Sequence, residues 1–96
     1  MQVLIVEFLG TLMLVLAWLW THANPYIVAL TYLFILVLGG PVSGAHYHPL
    51  ITGAHWALGR MPSRLAVQYG LAQLAGACIA VVATPVLGTN GLSLEA

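Results

Sequence analysis

Charged side chains are almost absent from this 96-residue chain, and their absence excludes most classes of soluble protein. Only 4% of the residues are charged, two basic and two acidic, whereas 61% are hydrophobic and the mean hydropathy is +1.01. A soluble domain carries about a quarter of its residues as charges. Disorder requires low hydrophobicity, and nucleic-acid binding requires clustered Lys and Arg. The composition therefore predicts an integral membrane protein in contact with the lipid bilayer, without nucleic acid as a partner.

Cysteine is equally scarce, and no constellation of catalytic residues stands out. The single Cys78 excludes an internal disulfide, and no Cys/His pairing has zinc-finger spacing. We find no nucleophile with its base, no carboxylate pair and no phosphate loop. A metal or pigment site at His46, His48 and His55 is an alternative, but their spacing is not diagnostic and loop packing is commoner. We therefore predict no enzyme, no cofactor and no metal ion.

The length limits the chain to three membrane spans, since a spanning helix needs about 20 residues. The N-terminus lacks a basic segment, and no small-residue cleavage site ends the first apolar run, which indicates a retained span rather than a signal peptide. Asn24 as N-cap and Pro25 at the first helical position begin the second span. The chain is predicted to form a single membrane domain, 1–96. Its spans lie at about 2–21, 25–40 and 63–86, and a polar tail follows at 87–96.

The segment between the second and third spans predicts a re-entrant loop. Residues 39–49 hold three Gly and two Pro and cannot continue a straight helix. The apolar run 25–38 covers only about 21 Å as a helix, and 50–58 about 13 Å. We predict an all-α transmembrane fold of three spanning helices plus a re-entrant loop with a half-helix at about 41–58. Such backbone at membrane depth either lines a cavity or packs against protein.

Four short motifs occur in an order and spacing known from one membrane-protein family. Residues 43–52 read SGAHYHPLIT, similar to the pattern SGAH-x-NPA-V-T, and residues 7–11 resemble an E-x-x-x-T signature. Residues 59–60 (GR) and 69–77 (YGLAQLAGA) match two further motifs of that family. The chain thus resembles the aquaporin and glycerol-channel (major intrinsic protein) family. The resemblance covers nearly the whole chain, but only the N-terminal half of the family's two inverted repeats.

The pore-loop motif, which includes His46, departs from the family pattern at two positions. His48 replaces the Asn that caps the half-helix and donates a hydrogen bond to passing solute, and Leu50 follows Pro49 in place of Ala. An imidazole could also cap, but it is bulkier and titratable. The missing half would supply a second Asn-Pro-Ala loop and the filter Arg. The resemblance therefore implies that this chain alone cannot form the family's pore.

Two further groups of residues are predicted to support the structure. The resemblance implies that Glu7 accepts hydrogen bonds from the loop backbone inside the bundle, whereas its position near the N-terminus also allows it to reach the membrane interface. The predicted supporting residues are Glu7, Thr11, Gln73 and Arg60. Small residues at four-residue spacing in the last span let another helix approach closely, within the bundle or between subunits. The residues at this spacing are Ala72, Gly76 and Ala80, and Gly70 adds to the same flat face as a fourth predicted helix-packing residue.

Two functions remain open from the sequence. The chain is either an aquaporin-like half-channel module, passing water or small neutral solutes when assembled with a second half or another copy, or a non-conducting structural accessory subunit of a larger membrane complex. Because Arg60 and Arg64 both precede the last span, the positive-inside rule places their loop and the N-terminus in the cytoplasm. So few basic residues also fit insertion in both directions, which a homodimer of inverted halves would require.

Overall fold

The computed structural model describes residues 1–86, which form four α-helices. The helices are α1 (Gln2–Trp20), α2 (Pro25–Ser43), α3 (Pro49–Ala57) and α4 (Ser63–Val86). Three of them are long and apolar enough to cross a membrane, over Gln2–Trp20, Pro25–Ser43 and Ser63–Thr84. The prediction of an all-α fold with three spanning helices and one half-helix is therefore confirmed. The predicted tail, 87–96, lies outside the described residues.

The boundaries of α2 follow from its two caps. Asn24 accepts hydrogen bonds on Oδ1 from the backbone N–H groups of Tyr26 and Ile27, at 3.0 and 3.2 Å, and Pro25 occupies the first helical position. At the other end Gly44 adopts a left-handed conformation with φ +86, and its N–H donates to the Gly40 carbonyl. This is the common glycine C-cap, which satisfies a carbonyl at the helix end.

Helix α2 continues to Ser43, three residues beyond the end predicted for the second span at about residue 40. Pro41 lies inside the helix and removes only one backbone donor. Leaving the helix there would have freed several peptide groups in a region without water, which costs more. The 19 residues of α2 give a length of about 28 Å, so this helix is not too short for a bilayer. The irregular segment is confined to residues 44–48.

Helix α1 is the centre of the fold, since it packs against both α2 and α4, and α3 packs against α4. Glycines set the closest approaches. A Cβ at Gly76 on α4 would lie 2.5 Å from the carbonyl oxygen of Phe8 on α1. A Cβ at Gly10 or Gly39 would collide with the side chain of Tyr47. The loop therefore sits in a space that α1 and α2 leave open with small residues.

Candidate functional site

Glu7 anchors the re-entrant loop from the middle of the helix bundle. Its side chain has no exposed surface. Oε1 accepts from the Tyr47 backbone N–H at 2.8 Å and from Gln73 Nε2 at 3.0 Å. Oε2 accepts from Ser43 Oγ at 2.6 Å and from the His46 backbone N–H at 3.0 Å. Four donors stabilise this buried carboxylate, and they join α1 to α2, the loop and α4.

The same network continues into α3 through Thr52. Gln73 Nε2 also donates to Thr52 Oγ1 at 2.9 Å, and His46 Nδ1 lies 2.8 Å from that hydroxyl. The His46 ring stacks on His55, with ring centroids 4.5 Å apart and an interplanar angle of 14°. Gln73 Oε1 is buried and has no hydrogen-bond partner among the described residues. The half-helix is thus fixed to α4 by polar contacts.

The loop backbone adopts a conformation that is uncommon for residues other than glycine. Ala45 and Tyr47 have φ angles of +53 and +56, in the left-handed region that costs such residues on the order of 1 kcal/mol each. Several contacts hold them there. Besides the bonds to Glu7, Thr11 Oγ1 donates to the Tyr47 carbonyl at 3.3 Å, and the Tyr47 hydroxyl donates to the Ile35 carbonyl at 2.7 Å. Strain that neighbouring residues enforce in this way is typical of functional loops.

Three consecutive carbonyl groups of the loop have no partner. The hydrogen bonds in the described part of the chain reach the carbonyl oxygens of Ser43, Tyr47 and His48, and none reaches those of Gly44, Ala45 and His46. Ala45 and His46 are each only 5% exposed. Buried carbonyls are normally paired with protein or water. Gly44, by contrast, is exposed. The three carbonyl oxygens are therefore available to donors from outside the described residues.

His48 begins the half-helix and lies at the surface. Its Nδ1 accepts the Leu50 backbone N–H at 3.0 Å, so the imidazole is the N-cap of α3, and Pro49 follows at the first helical position. All three residues are exposed, and Leu50 is 76% exposed. The start of the half-helix thus belongs to the outside of this chain, although His46, two residues earlier, is buried.

An open groove of about 580 Å³ adjoins this end of α3. It is lined by the second half of α1, the first half of α2 and the middle of α4, together with Tyr47, His48 and Pro49. Helix α3 lies beside the first half of α4, where Trp56 Nε1 donates to Ser63 Oγ at 2.8 Å. The groove therefore adjoins the N-terminal end of α3, away from the end that contacts Ser63.

The predicted site residues do not all lie in one site. Glu7, Thr11 and Gln73 lie in one network with His46, while Arg60 is exposed in the α3–α4 connection and takes no part in it. Of the predicted helix-packing residues, Gly76 and Ala80 are buried, and Ala72 is half-buried. A Cβ at Gly70 would meet nothing within 4 Å among the described residues, so open space lies beside this glycine.

Several residues of the network were missed by sequence reasoning. Ser43 and Thr52 supply hydroxyls, Tyr47 fills the space beside Gly10 and Gly39, and the Tyr69 hydroxyl donates to the Ser43 carbonyl at 2.7 Å. Ser43, Tyr47 and Thr52 belong to the pore-loop motif and Tyr69 to the last one, so the motifs contained the signal. Their partners depend on tertiary distances, which the motifs do not specify.

The fold and the site together define the class of protein. It is an integral membrane protein whose re-entrant loop and half-helix are held by a buried glutamate, with one edge of the loop left open. The family model of the major intrinsic proteins matches residues 19–91. The chain therefore belongs to the major intrinsic protein family, and the resemblance seen in its motifs is confirmed.

A curated relative supports the same assignment. The chain is 36% identical over 61 residues to an uncharacterized aquaporin-like protein of Haemophilus influenzae. This alignment covers 64% of the chain but only 29% of the relative. The chain thus spans less than a third of the length of that protein. No solved structure matches the chain significantly.

Proposed function

We propose that this chain is one half of an aquaporin-like channel. In this proposal it lines a pathway for water or small neutral solutes once a second half, either a complementary chain segment or another copy, covers the outer edge of its loop. The observation that carries the proposal is the row of carbonyl oxygens of Gly44, Ala45 and His46, which accept no hydrogen bond from residues 1–86 and lie in the same loop as the exposed ring of His48.

This row has the chemistry that a water pathway needs. Water donates to carbonyl oxygens and accepts from an N–H, so a file of water molecules would satisfy both the carbonyls and a histidine donor. The nearest charged side chain, Glu7, is buried behind the loop and accepts four hydrogen bonds. The N-terminus of α3 adds a partial positive charge, which disfavours cations. The row of carbonyl oxygens and the His48 ring therefore favour neutral solutes.

The groove supports the proposal that a second half is required. It adjoins the N-terminal end of α3 and ends at Tyr47, His48 and Pro49. A second short helix, entering from the other side, would fill this space and meet the N-terminus of α3. Its backbone and side chains would also enclose the carbonyl row, which lipid cannot satisfy. We further propose that the connection carrying Arg60 and Arg64 is cytoplasmic, as the positive-inside rule implies.

A water-permeability measurement tests the proposal. Proteoliposomes containing the inserted protein, with its assembly checked by cross-linking, are exposed to an osmotic shock and their shrinkage is followed by stopped-flow light scattering. We expect faster shrinkage than in empty vesicles, and a further increase for the double variant His48→Asn, Leu50→Ala. Leu71→Ala, on an exposed face of α4, is the matched control and should not change the rate.

The opposite result would identify the other function. The channel proposal is wrong if vesicles that contain the inserted and assembled protein shrink no faster than vesicles of lipid alone, and if the double variant does not increase the rate. Co-purification with a large complex in mild detergent would then indicate a structural subunit. In that case the carbonyl row of the loop would be satisfied by donors of the partner protein.

A further inference from the structure

A second groove, of about 320 Å³, runs between α3 and α4. Each of its walls is one helix face, formed by residues at the i, i+3, i+4, i+7 spacing that brings side chains to the same side of a helix. The groove follows both helices over about eight residues, a length of about 12 Å. The lining residues are Pro49, Thr52, Gly53 and Trp56 on α3, and Ser63, Ala66, Val67 and Gly70 on α4.

The groove is an apolar space that two glycines keep open. A Cβ added at Gly53 or at Gly70 would meet no atom within 4 Å. The two hydroxyl groups in the walls already have partners within the bundle. Thr52 Oγ1 accepts a hydrogen bond from α4 at 2.9 Å, and Ser63 Oγ accepts one from Trp56 Nε1 at 2.8 Å. The walls therefore offer an occupant carbon surface rather than hydroxyl groups in need of a partner.

One end of the groove, at Trp56, lies beside both basic residues of the chain. Arg64 is in the first turn of α4, and the backbone N–H of Arg60 donates to the carbonyl of His55, in the last turn of α3, at 2.9 Å. Both arginines are exposed. Acidic side chains within residues 1–86 are limited to Glu7, which is fully buried. Neither guanidinium therefore has an acidic partner in that part of the chain.

We propose that this groove binds an anionic phospholipid, with one acyl chain between α3 and α4 and the phosphate on Arg60 and Arg64. A guanidinium can donate two parallel hydrogen bonds to phosphate oxygens. Trp56 lies at the same end, and indole rings favour the headgroup level of a bilayer. The hydrocarbon layer of one leaflet is about 15 Å deep, close to the length of the groove. This proposal does not depend on whether the chain conducts.

The size of the groove and its two arginines favour this occupant over the others. An α-helix about 10 Å wide and about 12 Å long occupies roughly 900 Å³, whereas the groove holds about 320 Å³. A helix of a second half would therefore enter it only in part. A free phosphate ion would use the arginines and leave the apolar groove unfilled, and a zwitterionic lipid would fill the groove without a net charge for the arginines. An anionic phospholipid uses both features.

Quenching of Trp56 fluorescence by brominated lipid tests the site. In the variant Trp18→Phe, Trp20→Phe, Trp56 is the one remaining indole. The protein is reconstituted in phosphatidylcholine with a small fraction of phosphatidylglycerol, and the acyl chains of one lipid or the other are brominated. At equal mole fraction we expect brominated phosphatidylglycerol to quench several-fold more strongly. Equal quenching would indicate ordinary boundary lipid, and absence of quenching would indicate a groove covered by protein. Either result would overturn the proposal.

Variants separate the headgroup contact from the acyl-chain contact. Arg60→Gln and Arg64→Gln should each weaken the preference for phosphatidylglycerol about five-fold, the effect of one basic residue at an anionic surface. Arg64→Lys keeps the charge and should retain most of the preference. Gly53→Leu fills the groove and should reduce quenching by both lipids. Gly40→Leu is the matched control, since a Cβ there also meets nothing within 4 Å, and it should change neither. A full preference without both arginines would contradict the proposal.

Two further measurements complete the test. Excess inorganic phosphate should not displace the quenching lipid, and displacement would show an anion site without an acyl chain, against the proposal. Native mass spectrometry of the unmodified chain needs no tryptophan variant. We expect bound phosphatidylglycerol to survive higher collision energies than phosphatidylcholine with the same chains, and the double variant Arg60→Gln, Arg64→Gln to lose this difference. Equal retention by the unmodified chain would overturn the proposal, whereas absence of water flux would overturn only the proposed function.

Discussion

The two sides of the re-entrant loop differ in how many of their hydrogen-bonding groups have a partner in the described part of this chain. On the inner side, the N–H groups of His46 and Tyr47 and the hydroxyl of Ser43 all reach Glu7. On the outer side, the carbonyls of Gly44 to His46 have no partner in the described chain, and Leu50 is 76% exposed. The inner side therefore specifies the fold of one chain. The outer side is an exposed surface with free hydrogen-bond acceptors in the described chain, and any function depends on which molecule covers it.

The two histidines of the loop show the same contrast within three residues. His46 is buried between Thr52, His55 and Tyr69 and helps to hold α3. His48 caps α3 and faces outward. Substitutions on the inner side should therefore change stability, whereas those on the outer side should change transport and leave stability nearly unaltered.

The largest effect is expected from Glu7→Ala. This variant leaves the donors on Ser43, His46, Tyr47 and Gln73 without their acceptor, and each buried donor left unpaired costs about 1–3 kcal/mol. We expect the free energy of unfolding to fall by about 4 kcal/mol or more. Unfolding by a denaturing detergent in mixed micelles, followed by circular dichroism, measures this change.

Two controls sharpen the Glu7 experiment. Glu7→Gln keeps the volume and one acceptor oxygen, so its loss of stability should be intermediate. Ile5→Ala, on an exposed side of α1, should have a small effect. If Glu7→Ala were no less stable than Ile5→Ala, the carboxylate would not hold the loop, and the inner side would not be the stabilising one.

A smaller loss is expected when the closest helix contact is widened. In Gly76→Ala the new Cβ would lie 2.5 Å from the Phe8 carbonyl oxygen, so α1 and α4 must move apart, at a cost of about 1–3 kcal/mol. Gly70→Ala is the matched control on the same helix, where a Cβ meets nothing within 4 Å. It should be neutral or stabilising by up to about 1 kcal/mol, because alanine favours helix. Equal losses in thermal unfolding of the two variants would contradict this packing.

Much of the fold could be predicted from the sequence, because hydrophobic runs and caps are local signals. The three apolar runs gave the spans, and Asn24 with Pro25 marked the start of α2. Helix α2 extends past the predicted end of the span, at about residue 40, to Ser43, because the run Gly39-Gly40-Pro41 breaks helices in water but costs less in a bilayer than free peptide groups. A local rule cannot include that difference in solvent.

The site was only partly accessible to sequence reasoning. Glu7 and Gln73 stood out because polar residues are rare in apolar spans. Arg60 was selected by a motif, yet it lies outside the network, and Gly70 was predicted to pack although a Cβ there would meet nothing within 4 Å. Spacing identifies a helix face, but which part of that face meets a neighbour depends on the crossing of the helices.

A loss of about 1 kcal/mol is expected from removing either of two buried hydroxyls. Tyr47→Phe frees the Ile35 carbonyl, and Tyr69→Phe frees the Ser43 carbonyl. Tyr26→Phe is the matched control, since this side chain is 78% exposed, and it should leave the unfolding midpoint unchanged. If the three variants were indistinguishable, the hydroxyls would not contribute to holding the loop from the inner side.

The smallest effect on stability is expected at Leu50, on the outer edge. Because this side chain is 76% exposed, Leu50→Ala should change the free energy of unfolding by no more than about 0.5 kcal/mol. The same variant should raise water permeability, since it removes bulk beside the ring of His48 at the start of α3. Leu58→Ala, 66% exposed just beyond the other end of α3, is the control and should change neither quantity. A large loss of stability without a gain in permeability would mean that Leu50 belongs to a packed interface, and that the outer edge serves assembly rather than transport.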